Sequence, residues 1–322
     1  MNTHSRIKVG VIALALILVI FVLTTLTILP NAIAPNVNGT NYKNVTTWTR
    51  VNITHSKPDV LNVTIYDAQN VSMTNITIIA GGKKAVICNA TVRSWEGFND
   101  ITKVNATLYH YATSSHYASD DNNSHYTNIS CTLNQSTSAF VGWYVCGFDV
   151  VHYSNNGTWI CNVTVSNSYT GVNPNFTGRG YGNTTFYPVY ALNVTDGIDY
   201  GGVAVEDFSL DKTANISNIG NMRLNITVEG YATTRGDGLA MNCSLNGNIT
   251  VDNEKFSAAS ATAYAAKTSL VSTAGGLMIP GLSILKQTNA TAVTNSTYWQ
   301  LYIPPNPAGN CTGYVIFTAV AS

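Results

Sequence analysis

Charge is what this 322-residue chain has least of. Asp, Glu, Lys and Arg together make 10% of it, against about 25% in a typical soluble domain. Sixteen basic residues balance sixteen acidic ones, so the formal net charge is zero. With no basic excess there is nothing to neutralise a phosphate backbone, and no nucleic-acid partner is expected. Catalytic signatures are missing too. The chain has no Gly-x-Ser-x-Gly turn, no His-Glu-x-x-His pair and no Cys-x-x-Cys. Serine acyl transfer and zinc chemistry therefore have no motif to rest on. No cofactor is expected.

Acceptor sites for N-linked glycans are abundant instead. There are 23 Asn-x-Ser/Thr sequons with a non-proline middle residue. The chain's 37 Asn and 64 Ser plus Thr would give about 7 in random order. Such sites are modified only on the outward side of a membrane. The acceptors expected to matter include Asn62, Asn75, Asn89, Asn105, Asn128, Asn156, Asn162, Asn193, Asn225, Asn248 and Asn295. N-linked glycans are thus expected partners.

One segment is membranous in character. Arg6 and Lys8 precede an apolar run over residues 9–29, which Pro30 ends. About 20 apolar residues cross a bilayer as a helix, and a secretory signal has a shorter core. The basic residues before the run put residues 1–8 in the cytoplasm. A single-pass cell-membrane protein with its carboxy-terminal part outside is expected. A cleaved form is the alternative: Ala32-Ile33-Ala34 has the small-x-small pattern, which Pro35 opposes. Residues 30–58 are polar, carry sequons at Asn38, Asn44 and Asn52, and read as a stalk with room for an amino-terminal strand.

All six cysteines lie in the exported part. Disulfides are the default in an oxidising compartment, and six cysteines allow about 15 connectivities. The preferred set is Cys88 with Cys161, Cys131 with Cys146, and Cys243 with Cys311.

From residue 60 onward the sequons double as strand signals. In a strand, residues i and i+2 share one face and i+1 takes the other. Asn62-Val63-Thr64 can point its polar ends out and Val63 in. The same holds for the triplets starting at Asn75, Asn89, Asn105, Asn162, Asn193, Asn225 and Asn248. Strand-like runs fall at 61–66, 74–80, 84–93, 103–111, 127–133, 140–151, 158–166 and 186–194, with turn signals between them. That density suits an antiparallel sandwich. Gly201-Gly202 marks a boundary, giving a first domain over 59–201 and a second over 202–322. The expected class is all-β, two immunoglobulin-like antiparallel sandwiches behind a transmembrane helix. The Ala/Ser-rich stretch 257–275 reads as either a short helix or a long loop.

Two resemblances sharpen this. Cys88 and Cys161 are 73 residues apart with an aromatic residue, Trp159, two positions before the second, which resembles an immunoglobulin domain. Trp159 stands where that family has Tyr, and Trp95 follows Cys88 too soon for the core Trp. The second domain carries Ile216-Ser217-Asn218-Ile219-Gly220-Asn221 and ends in Gly313-Tyr314-Val315-Ile316-Phe317-Thr318-Ala319. These residues resemble immunoglobulin-like modules of archaeal surface proteins and some secreted fibre-forming proteins, over about residues 203–320. The resemblance implies an exported structural or adhesive role.

Other features are set against simpler readings. His110, His116, His125 and His152 match no metal-site spacing. Asp120-Asp121-Asn122-Asn123 could offer oxygens to calcium, but reads first as a polar turn. Gly178-Arg179-Gly180-Tyr181-Gly182 reads as a flexible loop, since no helix follows for phosphate binding. Glu96, Asp100, Asp149, Asp196, Asp199, Glu206 and Asp207 are scattered in turns. Tyr109, Tyr111, Tyr117 and Tyr126 could form a sugar- or partner-binding patch, with core packing the simpler explanation.

The expectation is a membrane-anchored, N-glycosylated surface protein of structural or adhesive function without catalysis. Other surface proteins, glycans or further copies of the chain would be its partners. The alternative is a filament subunit, pilin-like or a strand-donating thread. A secreted carbohydrate-active enzyme ranks last.

Overall fold

Alternation of β-branched and polar residues decides the architecture. The computed structural model describes residues 46–52, 55–69, 71–168 and 177–322. Among these, every regular element is a strand or a short 3-10 turn. The expected span over 9–29 lies outside the described residues, and no helix among them is long and apolar enough to cross a membrane. Residues 46–52 have no regular secondary structure and are exposed throughout.

Nine strands build the first sandwich: β1 (Asp59–Asp67), β2 (Asn75–Ile76), β3 (Lys83–Arg93), β4 (Ile101–His110), β5 (His125–Asn128), β6 (Thr132–Ser136), β7 (Val141–Val151), β8 (Gly157–Asn167) and β9 (Thr177–Phe186). One sheet runs β1-β3-β7-β6 and the facing one β2-β9-β8-β4-β5. Inward residues such as Val86, Cys88, Leu108, Trp159 and Val163 form a single core. Cys88 is bonded to Cys161 across the two sheets, and Cys131 to Cys146. Trp159 fills the corner where an immunoglobulin domain has Tyr. Its indole N–H donates to the Asn155 carbonyl at 2.7 Å, and its ring stacks on Phe186 at 4.8 Å. Trp95 is on the surface, 57% exposed, under the Arg93 guanidinium.

Two local expectations are corrected here. The run 127–133 is not one strand. β5 pairs with β4 in one sheet and β6 with β7 in the other, and Cys131, at the crossing, donates its N–H to the Val104 carbonyl. The stretch Gly178-Arg179-Gly180-Tyr181-Gly182 is not a loop but the middle of β9. Its glycines recur every second residue and all face β1. A Cβ on Gly180 would stand 2.5 Å from Val60 Cγ1, and one on Gly178 or Gly182 would collide with the carbonyls of Pro58 or Val63. Glycine there lets the two sheets close onto each other.

The second sandwich contains β10 (Leu192–Val194), β11 (Lys212–Asn218), β12 (Leu224–Tyr231), β13 (Leu239–Cys243), β14 (Asn248–Thr250), β15 (Glu254–Ser257), β16 (Thr268–Ser269), β17 (Leu277–Ile284), β18 (Thr294–Leu301), β19 (Cys311–Thr312) and β20 (Tyr314–Ala321). The sheet β10-β11-β18-β15-β16 lies against β17-β12-β20, with β14-β13-β19 beside them. The core holds Ile216, Leu224, Ile226, Val228, Phe256 and Trp299. Cys243 and Cys311 are opposite each other in the β13–β19 register and are bonded. Within 257–275 the structure has a loop with one 3-10 turn, Tyr264–Ala266, and the two-residue strand β16, not a longer helix.

The packing changes hands earlier than Gly201-Gly202. Leu192 pairs with Asn218, and Leu192 and Val194 pack on the second core. The reason lies in the Asn-x-Gly-Asn turn. Asn221 Oδ1 accepts the Val189 N–H at 2.7 Å, and its Nδ2 donates to the Tyr187 carbonyl at 3.1 Å. Asn218 Nδ2 donates to the Met222 and Leu285 carbonyls while its Oδ1 accepts the Gly220 N–H. Ile219 closes the joint: its carbonyl accepts the Gly81 N–H from the first sandwich.

Candidate functional surface

The sequon triplets lie where strand periodicity puts them. Val63, Ile76, Ala90, Ala106, Val163, Ile226 and Ile249 are buried, and Val194 is half-buried. The flanking acceptors point away from the core. Asn62, Asn75, Asn156, Asn193 and Asn248 are exposed, and Asn89, Asn105, Asn128, Asn162, Asn225 and Asn295 are half-exposed. All 19 sequon asparagines among the described residues keep accessible surface. Three described asparagines are buried, Asn167, Asn218 and Asn221. None of the three begins a sequon. Asn218 and Asn221 hold the joint between sandwiches, and Asn167 Nδ2 donates to the Ser56 carbonyl. The buried asparagines are thus interior tethers, and no sequon asparagine among the described residues is one of them.

The joint is a second concentration of polar chemistry. Lys286 sends its ammonium across it, at 2.5 Å from Asn123 Oδ1, 2.5 Å from Asn155 Oδ1 and 3.1 Å from the Tyr153 carbonyl. Three acceptors match the three donors of an ammonium. Burial pushes its pKa down to about 8, with Asp121 acting in the opposite sense. His152 Nε2 meets Gln287 Oε1 at 2.9 Å beside it. His152, Tyr153 and Gln287, with Gly81, line a cleft of about 620 Å³. No signal at residues 286–287 marked them in the sequence, because their partners are more than 130 positions away.

The other singled-out residues are dispersed. Asp121 carries burial that would raise its pKa, but the Ser124 hydroxyl and the N–H groups of Ser124, Asn123 and His125 outweigh it and bring it down. Asp120 takes the His125 ring at 2.7 Å and the Thr127 hydroxyl at 2.8 Å. Both carboxylates therefore serve a turn. His110 is held between Thr113 and the Asn156 carbonyl, and burial lowers its pKa. His116 meets Thr107. No group of three His, Cys, Asp or Glu suited to a metal occurs among the described residues. The four tyrosines do not form one patch: Tyr126 is buried, with its hydroxyl 2.5 Å from Ser154 Oγ. Tyr111 and Tyr117 are exposed, and Arg179 reaches over Tyr117.

Sequence reasoning missed the buried acids Asp67, Glu229 and Glu254, of which Glu254 is the most enclosed. Glu254 is 2% exposed, in β15, and receives the Tyr200 hydroxyl at 2.7 Å. Burial raises its pKa to about 7, against the lowering effect of that bond.

No family model matches the chain, and no curated protein does. Solved structures match over most of its length. One is the CsuC–CsuE chaperone–tip adhesion subunit pre-assembly complex from archaic chaperone-usher Csu pili of Acinetobacter baumannii. Identity is 9%, covering 77% of this chain and 97% of that one, with a TM-score of 0.37. A chaperone–tip adhesin complex of CFA/I fimbriae has 10% identity, coverage of 81% and 84%, and a TM-score of 0.29. The carboxy-terminal domain of the Streptococcus agalactiae AgI/II polypeptide BspA has 12% identity, coverage of 82% and 96%, and a TM-score of 0.24. Superpositions this loose carry no argument about function, and they lend no support to the archaeal association.

Proposed function

We propose that this chain is a membrane-tethered, N-glycosylated surface protein that works by structural or adhesive contact, without a catalytic centre. The observation that carries this reading is the division of asparagine: sequon asparagines stay accessible while the buried ones lie outside sequons. The three disulfides suit the same compartment. His110, His116, His125 and His152 and the carboxylates of Asp120 and Asp121 are committed to structural bonds. The test is labelling of intact cells with a membrane-impermeant amine reagent. Exposed Lys83 and Lys103 become modified before lysis and Lys8 only after it. Labelling of Lys83 only after lysis would overturn the reading.

A second reading is favoured by one observation. β20 is an open sheet edge of eight residues with no charge, proline or glycine. Such an edge is a template for another strand, which suits a subunit that joins to further copies of itself.

A further inference from the structure

Among the described residues, β20 pairs only with β12, in unbroken register from Leu224↔Ala321 to Tyr231↔Tyr314. The other sheet edges are guarded. β17 contains Pro280 and Gly281 and a register shift. β1 and β6 each have a register shift. The remaining edge strands have two to four residues. The inward residues of β20 are also incompletely covered: Val315, Phe317 and Ala319 are half-buried, while Ile226 and Val228 on β12 are fully buried. A cleft of about 340 Å³ is lined by Val315 and Phe317 together with Val194 and Ile198. No sequon falls within β20 itself.

The chain also has a strand-like sequence before the first sandwich, and its described residues, 46–52, are in no strand. Asn44-Val45-Thr46 and Asn52-Ile53-Thr54 are eight residues apart, an even spacing that puts both acceptors on one strand face. The opposite face reads Val45, Thr47, Thr49, Val51, Ile53, all β-branched. This is the pattern that buries Val63, Val163 and Ile226 elsewhere. Yet Trp48 and Val51 are each 80% exposed.

Pairing of the whole segment within one chain is out of reach, because its Ile53 end stays close to Ser56. Ser56 is held by Glu96 and Asn167 at the end of the first sandwich where Asp59 pairs with Arg93. The joint lies at the other end of β3, where Gly81 meets Ile219. Eleven residues of strand put these ends about 33 Å apart. β20 lies beyond the joint, with its last residue, Ala321, beside Leu224 and its first, Tyr314, beside Tyr231. From Ser56 the chain reaches Ile53 within roughly 11 Å, and Val45 at full stretch within roughly 40 Å.

We propose that residues 45–53 of one copy add as a strand to the β20 edge of a second copy, with Val45, Thr47, Thr49, Val51 and Ile53 over the exposed core and Asn44 and Asn52 outward. This deepens the self-joining reading and rests on it. The donor is tethered through Ser56 at the end of the first sandwich away from the joint, and the acceptor edge belongs to the second sandwich, so the contact is head-to-tail and generates open strings.

The test uses full-length chains with two different tags, co-expressed in the native membrane. One carries Trp48→Cys or Arg50→Cys, and the other Ile316→Cys, Thr318→Cys or Val320→Cys. The expected result is a mixed-tag disulfide dimer, and a ladder of multimers when one chain carries both substitutions. Val51→Lys lowers the multimer yield at least tenfold, while Arg50→Gln leaves it unchanged. Val51 is outside both cores, so loss of folding does not explain that difference. Multimers that persist with no crosslink at any position, or that tolerate Val51→Lys, overturn the strand pairing and leave self-association standing. A chain that remains monomeric overturns both. A crosslink confined to single chains overturns the pairing between copies.

Discussion

Gly180 in β9 lies directly beneath Val60 in β1, so close that a Cβ would sit 2.5 Å from Val60 Cγ1. Gly178 and Gly182 repeat the relationship at two-residue intervals. Here the facing sheets of the first sandwich approach each other with backbone alone between them. Gly182→Ala would press a methyl against the Val63 carbonyl, an overpacking that costs about 1–3 kcal/mol. Gly147→Ala meets nothing within 4 Å and is expected to be near neutral. Thermal melting of the two variants checks this.

The disulfides should differ in weight. Cys88 and Cys161 close a 73-residue separation, and Cys131 and Cys146 one of 15. Chain-entropy arguments give about 4 kcal/mol for the longer loop and about 3 kcal/mol for the shorter. Denaturant titration of the Cys88→Ala/Cys161→Ala and Cys131→Ala/Cys146→Ala variants should show the first pair to be the larger loss.

Glu254 makes the second sandwich sensitive to pH. Its folded pKa of about 7 stands above the ordinary 4.5, so the folded chain holds the extra proton between those values. The associated stability is full below about 4.5 and is lost as pH rises through 7, a change of roughly 3 kcal/mol from this group. Glu254→Gln keeps a neutral hydrogen-bonding group and should flatten the dependence. Melting temperatures at pH 5 and pH 8 for both forms test this, and an equal pH slope in the variant would sink it.

Lys286 should fasten the two sandwiches. Lys286→Met removes three hydrogen bonds across the joint, a loss on the order of 1–3 kcal/mol. Faster protease cleavage around residues 187–191, with both sandwiches intact, is the expected outcome.

Much of this was legible locally. Alternation in the sequon triplets located strands because burial on one sheet face imposes a two-residue period, and Val63, Ala106 and Ile249 follow it. The Asn218-Ile219-Gly220-Asn221 motif was visible, but its work of holding Tyr187 and Val189 was not, since those partners are 30 residues upstream. The glycines of β9 misled for a similar reason. Taken alone they signal a loop, and only β1, over 100 residues earlier, requires them. Core packing, the simpler reading of Tyr126, holds, but its hydroxyl's partners, Ser154 and the Val151 N–H, lie 25 or more residues away and gave no local signal. The Lys286 contacts and Glu254 burial likewise arise from distant segments.

The most direct test of the central claim is peptide mass spectrometry of the protein taken from native membranes, without prior reduction. The account predicts glycans on many of the accessible sequon asparagines, none on Asn167, Asn218 or Asn221, and all six cysteines in disulfides. Unmodified sequons together with free thiols would contradict export, and with it the reading of this chain as a surface glycoprotein.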